Sequence, residues 1–220
     1  YTTLFRSEKV YPMVIAQDHK RIFDGDAGPN TGGMGAYTPV PQIPEEAVQQ
    51  AISQVLKPTA KGMVAEKRPF QGILYAGLIQ TATGPKVIEF NARFGDPETQ
   101  VVLARLESPL SEIISSLLAK EQPTIVWNEL ASVGVVVAAE GYPNQYKTNL
   151  PLPEMSGETI YYAGVTRSEQ ALVSAGGRIF LAEATASTLE EARKKVYQTL
   201  DNYSFPGMYY RKDIGVKGLI

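Results

Sequence analysis

Hydrophobic and polar positions alternate along some stretches of the chain and recur at helical spacing along others, which predicts an α+β protein. Alternation and turn residues predict strands within 8–16 and at 73–79, 86–90, 132–139, 159–165, 178–185 and 208–211. Helical spacing predicts helices over 44–65, with a kink at Pro58, over 109–120, and after a capping box at 187–190. The last helix should bury one stripe, formed by Leu189, Ala192, Val196 and Leu200.

The pattern changes near residues 121–123, which predicts two α+β parts. We expect a partial domain over 8–122, with an antiparallel sheet and helices, and a small α+β domain over 123–220. Residues 1–7 look like the translation of a common sequencing adapter, so we expect a non-native leader there; the alternative is an ordinary strand start. The chain has no initiator Met, which agrees with a native protein that is longer at its N-terminus.

Composition excludes several classes of function. The chain has 220 residues, 44% of them hydrophobic, and a formal net charge of −2, which argues against disorder and against a polybasic nucleic-acid binder. It has no cysteine and one histidine, His19, so thiol catalysis and multi-histidine metal sites are excluded. No apolar run reaches the roughly 18 residues of a membrane span, and no signal pattern opens the chain, so we expect a cytoplasmic protein without a membrane partner.

The segment V-I-E-F-N-A-R-F-G-D-P-E-T-Q at 87–100 carries the clearest candidate chemistry. Side chains alternate along a strand, so Ile88 and Phe90 should share one face, and Glu89 and Asn91 the other. Two oxygen ligands at this spacing suit Mg²⁺, and Arg93 beyond them suits an anion. The alternative is an edge strand with a solvated polar face, which the spacing alone favours.

The residues that follow change that balance. We expect Asp96 to cap a helix and Pro97 to occupy its first position. Free backbone N–H groups at that helix start would bind an anion. A cation site, a guanidinium and an anion site within about ten residues predict handling of ATP or another phosphate.

A second candidate segment is polar and glycine-rich, and it covers residues 17–37. It has neither the EF-hand, the Walker nor the dinucleotide-binding spacing. Its glycines allow a ligand to approach the backbone, next to Lys20 and Arg21, while a plain surface turn fits the composition equally well. For His19 we favour a structural role over direct chemistry. Tyr75, on the strand predicted to pair with that of Glu89, suits either the candidate site or the core.

In this order and spacing, the segments QDHKRIFDGDAGPNTGGMGAY, GILYAGLI and KVIEFNARFGDPETQ closely resemble the glycinamide ribonucleotide synthetases, an ATP-grasp family of purine biosynthesis. The resemblance runs from about Glu8 to about Gly215. Family members are longer, with a substrate domain and an ATP-grasp lid ahead of this segment. The resemblance therefore implies a C-terminal part: most of the second ATP-grasp subdomain and the C-terminal domain, with the N-terminal and lid domains of the same polypeptide as partners.

The resemblance also implies a function. It is the ATP-dependent ligation of glycine to 5-phosphoribosylamine through glycyl phosphate, with Mg²⁺ or Mn²⁺ as cofactor and these small molecules as the partners. By motif match, Glu89 and Asn91 are the metal ligands and Arg93 is the catalytic residue that holds the transferring group. The substrate-binding residues would be Asp18, Lys20, Thr31, Gly32, Gly33, Gly35, Gly95, Asp96 and Pro97.

Two other hypotheses stay open. Because the ATP-grasp lid is absent from this segment, the first alternative is that the chain is a catalytically silent module, or a subunit that needs a separate lid-bearing chain. It is another ATP-grasp ligase, such as a carboxylase-type enzyme, if the metal motif is shared more widely, although the segments FGDPETQ and GPNTGGMGAY weaken that hypothesis.

Overall fold

The computed structural model describes residues 1–156, 159–169 and 171–220 and has mixed α+β architecture. Its strands are β1 (Thr2–Arg6), β2 (Lys9–Pro12), β3 (Gln17–Asp18), β4 (Arg21–Phe23), β5 (Ala27–Asn30), β6 (Gly35–Thr38), β7 (Gln71–Thr81), β8 (Gly84–Asn91), β9 (Ala131–Ala139), β10 (Thr159–Tyr162), β11 (Val165–Arg167), β12 (Leu172–Ser174), β13 (Arg178–Ala186) and β14 (Met208–Tyr209). Its α-helices are α1 (Glu45–Ala51), α2 (Lys57–Ala65), α3 (Glu98–Leu103), α4 (Leu110–Leu118) and α5 (Leu189–Asp201). In the described part of the chain, no helix has the length and apolar character needed to cross a membrane.

The chain forms two compact units, each built from separate segments. The first unit contains residues 1–15, 40–95 and 106–128, and the second contains 16–39, 96–105 and 129–220. This division differs from a single boundary near residue 122, because β6 pairs with β9 inside the second unit. Pairing over such a sequence separation leaves no mark on local hydrophobic periodicity.

The first unit is a four-stranded antiparallel sheet with helices packed on one face. Its strand order is β2-β1-β7-β8. Leu74 and Ala76 of β7 point toward the helices, where they join a buried cluster with Phe5, Leu56 and Ala60. A π-helical turn, Ile52–Leu56, directly precedes α2, and Pro58 lies in the first turn of α2; the kink predicted at Pro58 stays a prediction.

Residues 1–7 are part of this sheet. Strand β1 pairs with both β2 and β7, and Leu4 and Phe5 are buried. The structure therefore has a strand here, as in the alternative that we considered, and the non-native origin of residues 1–7 stays a prediction. The alternating Thr-Thr-Leu-Phe pattern suits such a strand.

The second unit is a six-stranded antiparallel sheet whose central strand is buried along its whole length. The order is β10-β13-β9-β6-β3, and β14 also pairs with β9. Helix α5 packs against β9 and β13, and its predicted buried stripe is confirmed. Residues 17–37 do not form the plain surface turn that we considered, because β3, β4, β5 and β6 lie within or across this segment.

The start of α5 differs from the predicted capping box by one residue. Thr188 is the N-cap, and its hydroxyl accepts a hydrogen bond from the backbone N–H of Glu191. The hydroxyl of Ser187 donates instead to the Glu191 side chain. Both Ser187 and Thr188 have a glutamate three residues later, Glu190 and Glu191, so the sequence supports two registers.

Candidate functional site

The hairpin of β7 and β8 places the predicted metal ligands on one face. Glu89 lies directly opposite Gly77, and Asn91 lies directly opposite Tyr75. Opposed residues of an antiparallel pair share a face, and Gly77 and Tyr75 are two residues apart. The prediction that Glu89 and Asn91 share a face is confirmed, as is their pairing with the strand of Tyr75.

A β-bulge in β8 selects that face. Val87 pairs with Leu78, but the next pair is Glu89 with Gly77, so Ile88 has no residue opposite it. If β8 continued to pair with β7 in a regular register beyond Val87, Ile88 would lie opposite Gly77, and Glu89 would lie opposite Ala76 on the face that packs against the helices. A one-residue register change moves every side chain to the other face of a sheet, so the bulge directs Glu89 away from the core. The simple alternation that we predicted for 88–91 is interrupted at Ile88.

The two oxygen donors are accessible because β8 is an edge strand of the sheet. Glu89 is exposed and Asn91 is half-buried. A carboxylate and an amide oxygen on one exposed face fit a hard divalent cation, which often completes its shell with water and phosphate oxygens. Within the described residues, no group of three or more histidine, aspartate or glutamate side chains could hold a metal ion. The donor set here is therefore one acid and one amide.

Arg93 follows this pair at the end of the first unit. Its Nη1 donates to the backbone carbonyl of Phe94 at 2.7 Å, and the side chain is otherwise exposed. A guanidinium has five N–H donors, so this one contact leaves donors for an anion. Gly95 is the last residue of this segment of the first unit.

In the second unit, Asp18 and Lys20 form an ion pair next to the predicted glycine-rich loop. The distance from Lys20 Nζ to Asp18 Oδ2 is 2.8 Å. The Thr31 hydroxyl donates to the carbonyl of Lys20 at 2.8 Å and accepts from the N–H of Gly33 at 2.9 Å. Thr31 thus connects Lys20 to Gly33. The Asp18–Lys20 pair and the glycine-rich loop, which were both predicted to bind substrate, are therefore close together.

Two of the predicted glycines are required by close packing. A Cβ at Gly33, where φ is +118°, would lie 2.4 Å from Pro97 Cδ. A Cβ at Gly35 would lie 2.6 Å from the carbonyl oxygen of Gly134. The side chain of any other residue at either position would collide with Pro97 or Gly134. The glycine-rich composition therefore reflects tight contacts and not a flexible turn.

The backbone N–H groups of this loop are used within the protein. Gly32 donates to the Tyr142 hydroxyl at 3.0 Å, and Gly33 donates to Thr31. The loop is consequently a rigid, internally bonded structure. These two amides do not form an open cradle for a phosphate.

Asp96 is not the N-cap of α3, which corrects the sequence prediction. Pro97 holds the cap position without a side-chain hydrogen bond, and the six-residue helix begins at Glu98. The Asp96 carboxylate pairs with Arg178 instead, at 3.1 Å to Nη1 and 2.8 Å to Nη2. Nη1 also donates to the backbone carbonyls of Gly32 and Asp96. The helix therefore begins one residue later than predicted, and the anion site that we expected at this helix start stays a prediction.

Arg178 and Tyr142 are residues that sequence reasoning missed. Arg178 joins the Gly32 carbonyl to Asp96, and the Tyr142 hydroxyl accepts a hydrogen bond from the N–H of the same glycine. Both lie in segments, AAEGYP and GGRIF, that are compatible with the family resemblance. Neither segment has a local pattern that distinguishes a binding arginine or tyrosine from a surface residue.

His19 is buried within the second unit, in agreement with the structural role that we favoured. It is 2% exposed, and neither ring nitrogen has a hydrogen-bond partner. Burial, together with the positive charge of nearby Arg211, lowers the pKa of His19 to about 4, against the opposing charges of Asp213 and Asp26. Arg211, fully buried, donates to both of these carboxylates at 2.7–2.9 Å. His19 is therefore neutral at pH 7.

Comparison with known proteins relates the chain to one enzyme family. Residues 1–99 match the family model described as "Phosphoribosylglycinamide synthetase, ATP-grasp (A) domain", and residues 132–217 match "Phosphoribosylglycinamide synthetase, C domain". Phosphoribosylamine–glycine ligases from Halalkalibacterium halodurans and Lactococcus lactis are each 54% identical over 96% of this chain. A crystal structure of phosphoribosylamine–glycine ligase from Thermotoga maritima superposes with a TM-score of 0.88 at 33% identity and covers 97% of this chain.

The chain spans about half the length of these relatives: 50% and 52% of the two ligases and 54% of the Thermotoga chain. The two matched domain models follow each other in the order that the motifs predicted, with the metal motif in the first and the GGRIF segment in the second. The mixed α+β architecture agrees with an ATP-grasp fold. This chain belongs to the phosphoribosylglycinamide synthetase family, as part of its ATP-grasp domain followed by its C domain.

Proposed function

We propose that this chain is part of a ligase that uses ATP to join glycine to 5-phosphoribosylamine, giving glycinamide ribonucleotide, ADP and phosphate. The observation that carries the proposal is the exposed β7–β8 face, with Glu89 and Asn91 side by side in a member of this family. Because the chain spans about half the length of its relatives, the proposed activity is that of the whole protein. A cytoplasmic location belongs to the same proposal.

Glu89 and Asn91 would hold Mg²⁺ or Mn²⁺ through one carboxylate and one amide oxygen. When bound, such a cation neutralises the charge of the ATP phosphates and aligns them for transfer. The bulge at Ile88 and the edge position of β8 leave both oxygens open to a nucleotide tail. The protein groups here orient and neutralise, and they do not themselves become covalently modified.

Arg93 is the residue that we propose to hold the transferring phosphoryl group. In the proposed reaction, the glycine carboxylate attacks the γ-phosphorus of ATP and forms glycyl phosphate, with ADP leaving. The amine of phosphoribosylamine then attacks the acyl carbon, phosphate leaves, and the amine loses a proton. A permanently charged fork suits the oxygens that stay anionic through both steps.

In the second unit, the Asp18–Lys20 pair and Thr31 are proposed to bind substrate, together with the peptides of Gly32, Gly33 and Gly35. The Asp96–Pro97 segment with the preceding Gly95 is proposed for the same role. Gly32 and Gly33 would act through the shape of the loop, because their N–H groups are bonded within the protein. Lys20 and Asp18 supply the charged groups of this region.

The test is Glu89→Gln in the protein at the full length of its relatives, with ADP formation as the assay. We expect the variant to lose ADP formation at ordinary metal concentrations, because the amide removes the only negative charge of the proposed ligand pair. Glu46→Gln, an exposed glutamate in the first turn of α1, is the matched control. ADP formation by Glu89→Gln at the wild-type rate would refute the metal assignment.

A further inference from the structure

The Glu89 side chain passes directly over Gly77 of β7. A Cβ built on Gly77 would lie 3.2 Å from Glu89 Cγ and 3.6 Å from Tyr75 Cε1. The first of these distances is shorter than ordinary van der Waals contact between carbon atoms. The Glu89 stem therefore lies over the bare backbone of Gly77, beside the Tyr75 ring.

We propose that Gly77 is a positioning residue, which acts together with the bulge at Ile88 to set where the Glu89 carboxylate holds its cation. The inference rests on the proposed function and deepens it. The bulge decides the face on which Glu89 lies, and the missing side chain of Gly77 decides how closely Glu89 approaches the sheet.

The structure also shows why a small change at this position matters. A methyl group on Gly77 would push Glu89 Cγ outward by a few tenths of an ångström. Mg²⁺ requires oxygen ligands at about 2.0–2.1 Å in nearly ideal octahedral geometry, so a shift of that size weakens the coordination. Mutation of residues that orient a metal ligand typically reduces metal affinity about 10-fold or more.

Gly77 tolerates a side chain as far as its own backbone is concerned. Its φ lies outside the left-handed region that other residues avoid, and glycine within a strand is less favourable than alanine. Gly77→Ala and Gly77→Ser both add the same Cβ, so the test stands if either variant folds. Gly62→Ala is the matched control, because a Cβ at Gly62 meets no atom within 4 Å.

The experiment titrates the 220-residue chain with Mn²⁺ alone and follows paramagnetic broadening of backbone amide signals by NMR. In the wild type, we expect broadening centred on 75–77 and 89–91. In Gly77→Ala and Gly77→Ser, we expect the same centre with a Kd about 10-fold higher, while Gly62→Ala keeps the wild-type Kd. The dispersion of the spectra shows that each variant is folded.

Two contrary results have different meanings. A wild-type Kd in a folded Gly77→Ala or Gly77→Ser variant overturns the positioning role of Gly77 and leaves the metal assignment standing. Lower stability of these variants with unchanged Mn²⁺ affinity is the same result, because a purely structural role would give it. Absence of broadening at 89–91 in the wild type overturns the metal assignment itself, and with it the role of Gly77.

Discussion

Replacing Arg178 should loosen the glycine-rich loop and the Asp96 segment together. The guanidinium binds the Asp96 carboxylate with two nitrogens and also donates to the carbonyls of Gly32 and Asp96. Arg178→Met removes all of these bonds and keeps a side chain of similar length. Asp96→Asn removes the charge pair but keeps both carbonyl contacts of Arg178.

The magnitude follows from the exposure of the two partners. The Arg178 side chain is 22% exposed and that of Asp96 is 51% exposed, so solvent screens the ion pair, and such pairs contribute about 0.2–1 kcal/mol. The two bonds to backbone carbonyls contribute on the order of 1 kcal/mol in addition, after the same allowance for water. We therefore expect Arg178→Met to lower the local opening free energy by about 2 kcal/mol, and Asp96→Asn by at most about 1 kcal/mol.

Amide hydrogen exchange measures this effect where it occurs. The reporters are the N–H groups of Gly32 and Gly33, which donate to Tyr142 and Thr31. A loss of about 2 kcal/mol corresponds to exchange roughly 30-fold faster in Arg178→Met, against at most about 5-fold in Asp96→Asn.

The control for general destabilisation is Arg167→Met, which replaces an exposed arginine of the same unit. It should leave exchange at Gly32 and Gly33 unchanged. Equal acceleration in Arg167→Met and Arg178→Met, or no acceleration in Arg178→Met, would refute the positioning of this loop by Arg178.

Two further predictions concern stability. His19 has its pKa lowered to about 4 by burial and by Arg211, so the unfolded chain binds a proton that the folded chain does not as the pH falls from about 6.5. The free energy of unfolding should then fall by about 3 kcal/mol between pH 6.5 and 4 in urea titrations followed by circular dichroism, and His19→Phe should remove this dependence; an unchanged pH profile in His19→Phe would contradict the assignment. Thr188→Ala should cost about 1 kcal/mol of stability through loss of the α5 cap, against at most about 0.5 kcal/mol for Ser187→Ala, and the reverse order would favour Ser187 as the cap.

The pH window of His19 is separate from that of the carboxylates beside it. Burial raises the pKa of Asp26 and of Asp213, but hydrogen bonds from Lys217 and Arg211 outweigh this for Asp26, as those from Arg211 and Gly25 do for Asp213, and both values fall below the usual 3.8. Groups with a lowered carboxylate pKa stabilise the fold above their unfolded pKa, and this contribution is lost as the pH falls further below about 3.8. Acid titration above about pH 5 therefore reports mainly on His19.

The candidate metal pair could be predicted from sequence because its geometry is local. Glu89 and Asn91 are two residues apart on one strand, and strand alternation alone places them together. The bulge at Ile88 could not be predicted in the same way, because it is defined by the register against β7. Here the family resemblance, and not periodicity, carried the functional inference.

The prediction for Asp96 was wrong because its partner lies far along the chain. An aspartate before a proline and a helical pattern is a good N-cap signal, but it is a weak preference of about 1 kcal/mol. The paired contact with Arg178 of β13 supplies two charge-assisted hydrogen bonds in competition with the cap. Local propensity gives way wherever such a long-range pair forms.

The same limit applies to the division of the chain. Residues 17–37 have the composition of a loop, yet β6 within this range is completely buried between β3 and β9. One partner of β6, β3, lies in the same stretch, but the other, β9, begins only at Ala131, so local composition does not reveal this central strand.

The pairing of β6 with β9 also bears on how the protein is synthesised. β6 ends at Thr38, and its partner begins only at Ala131, so at about 5–20 residues per second the ribosome needs roughly 5–20 s to deliver it. The β7–β8 hairpin emerges within this interval and can form at once, since both of its strands are adjacent. The nascent chain therefore has a completed hairpin while one edge of β6 is still unpaired. Unpaired strand edges pair readily with other chains. Chaperone protection during translation should therefore raise the yield of folded protein.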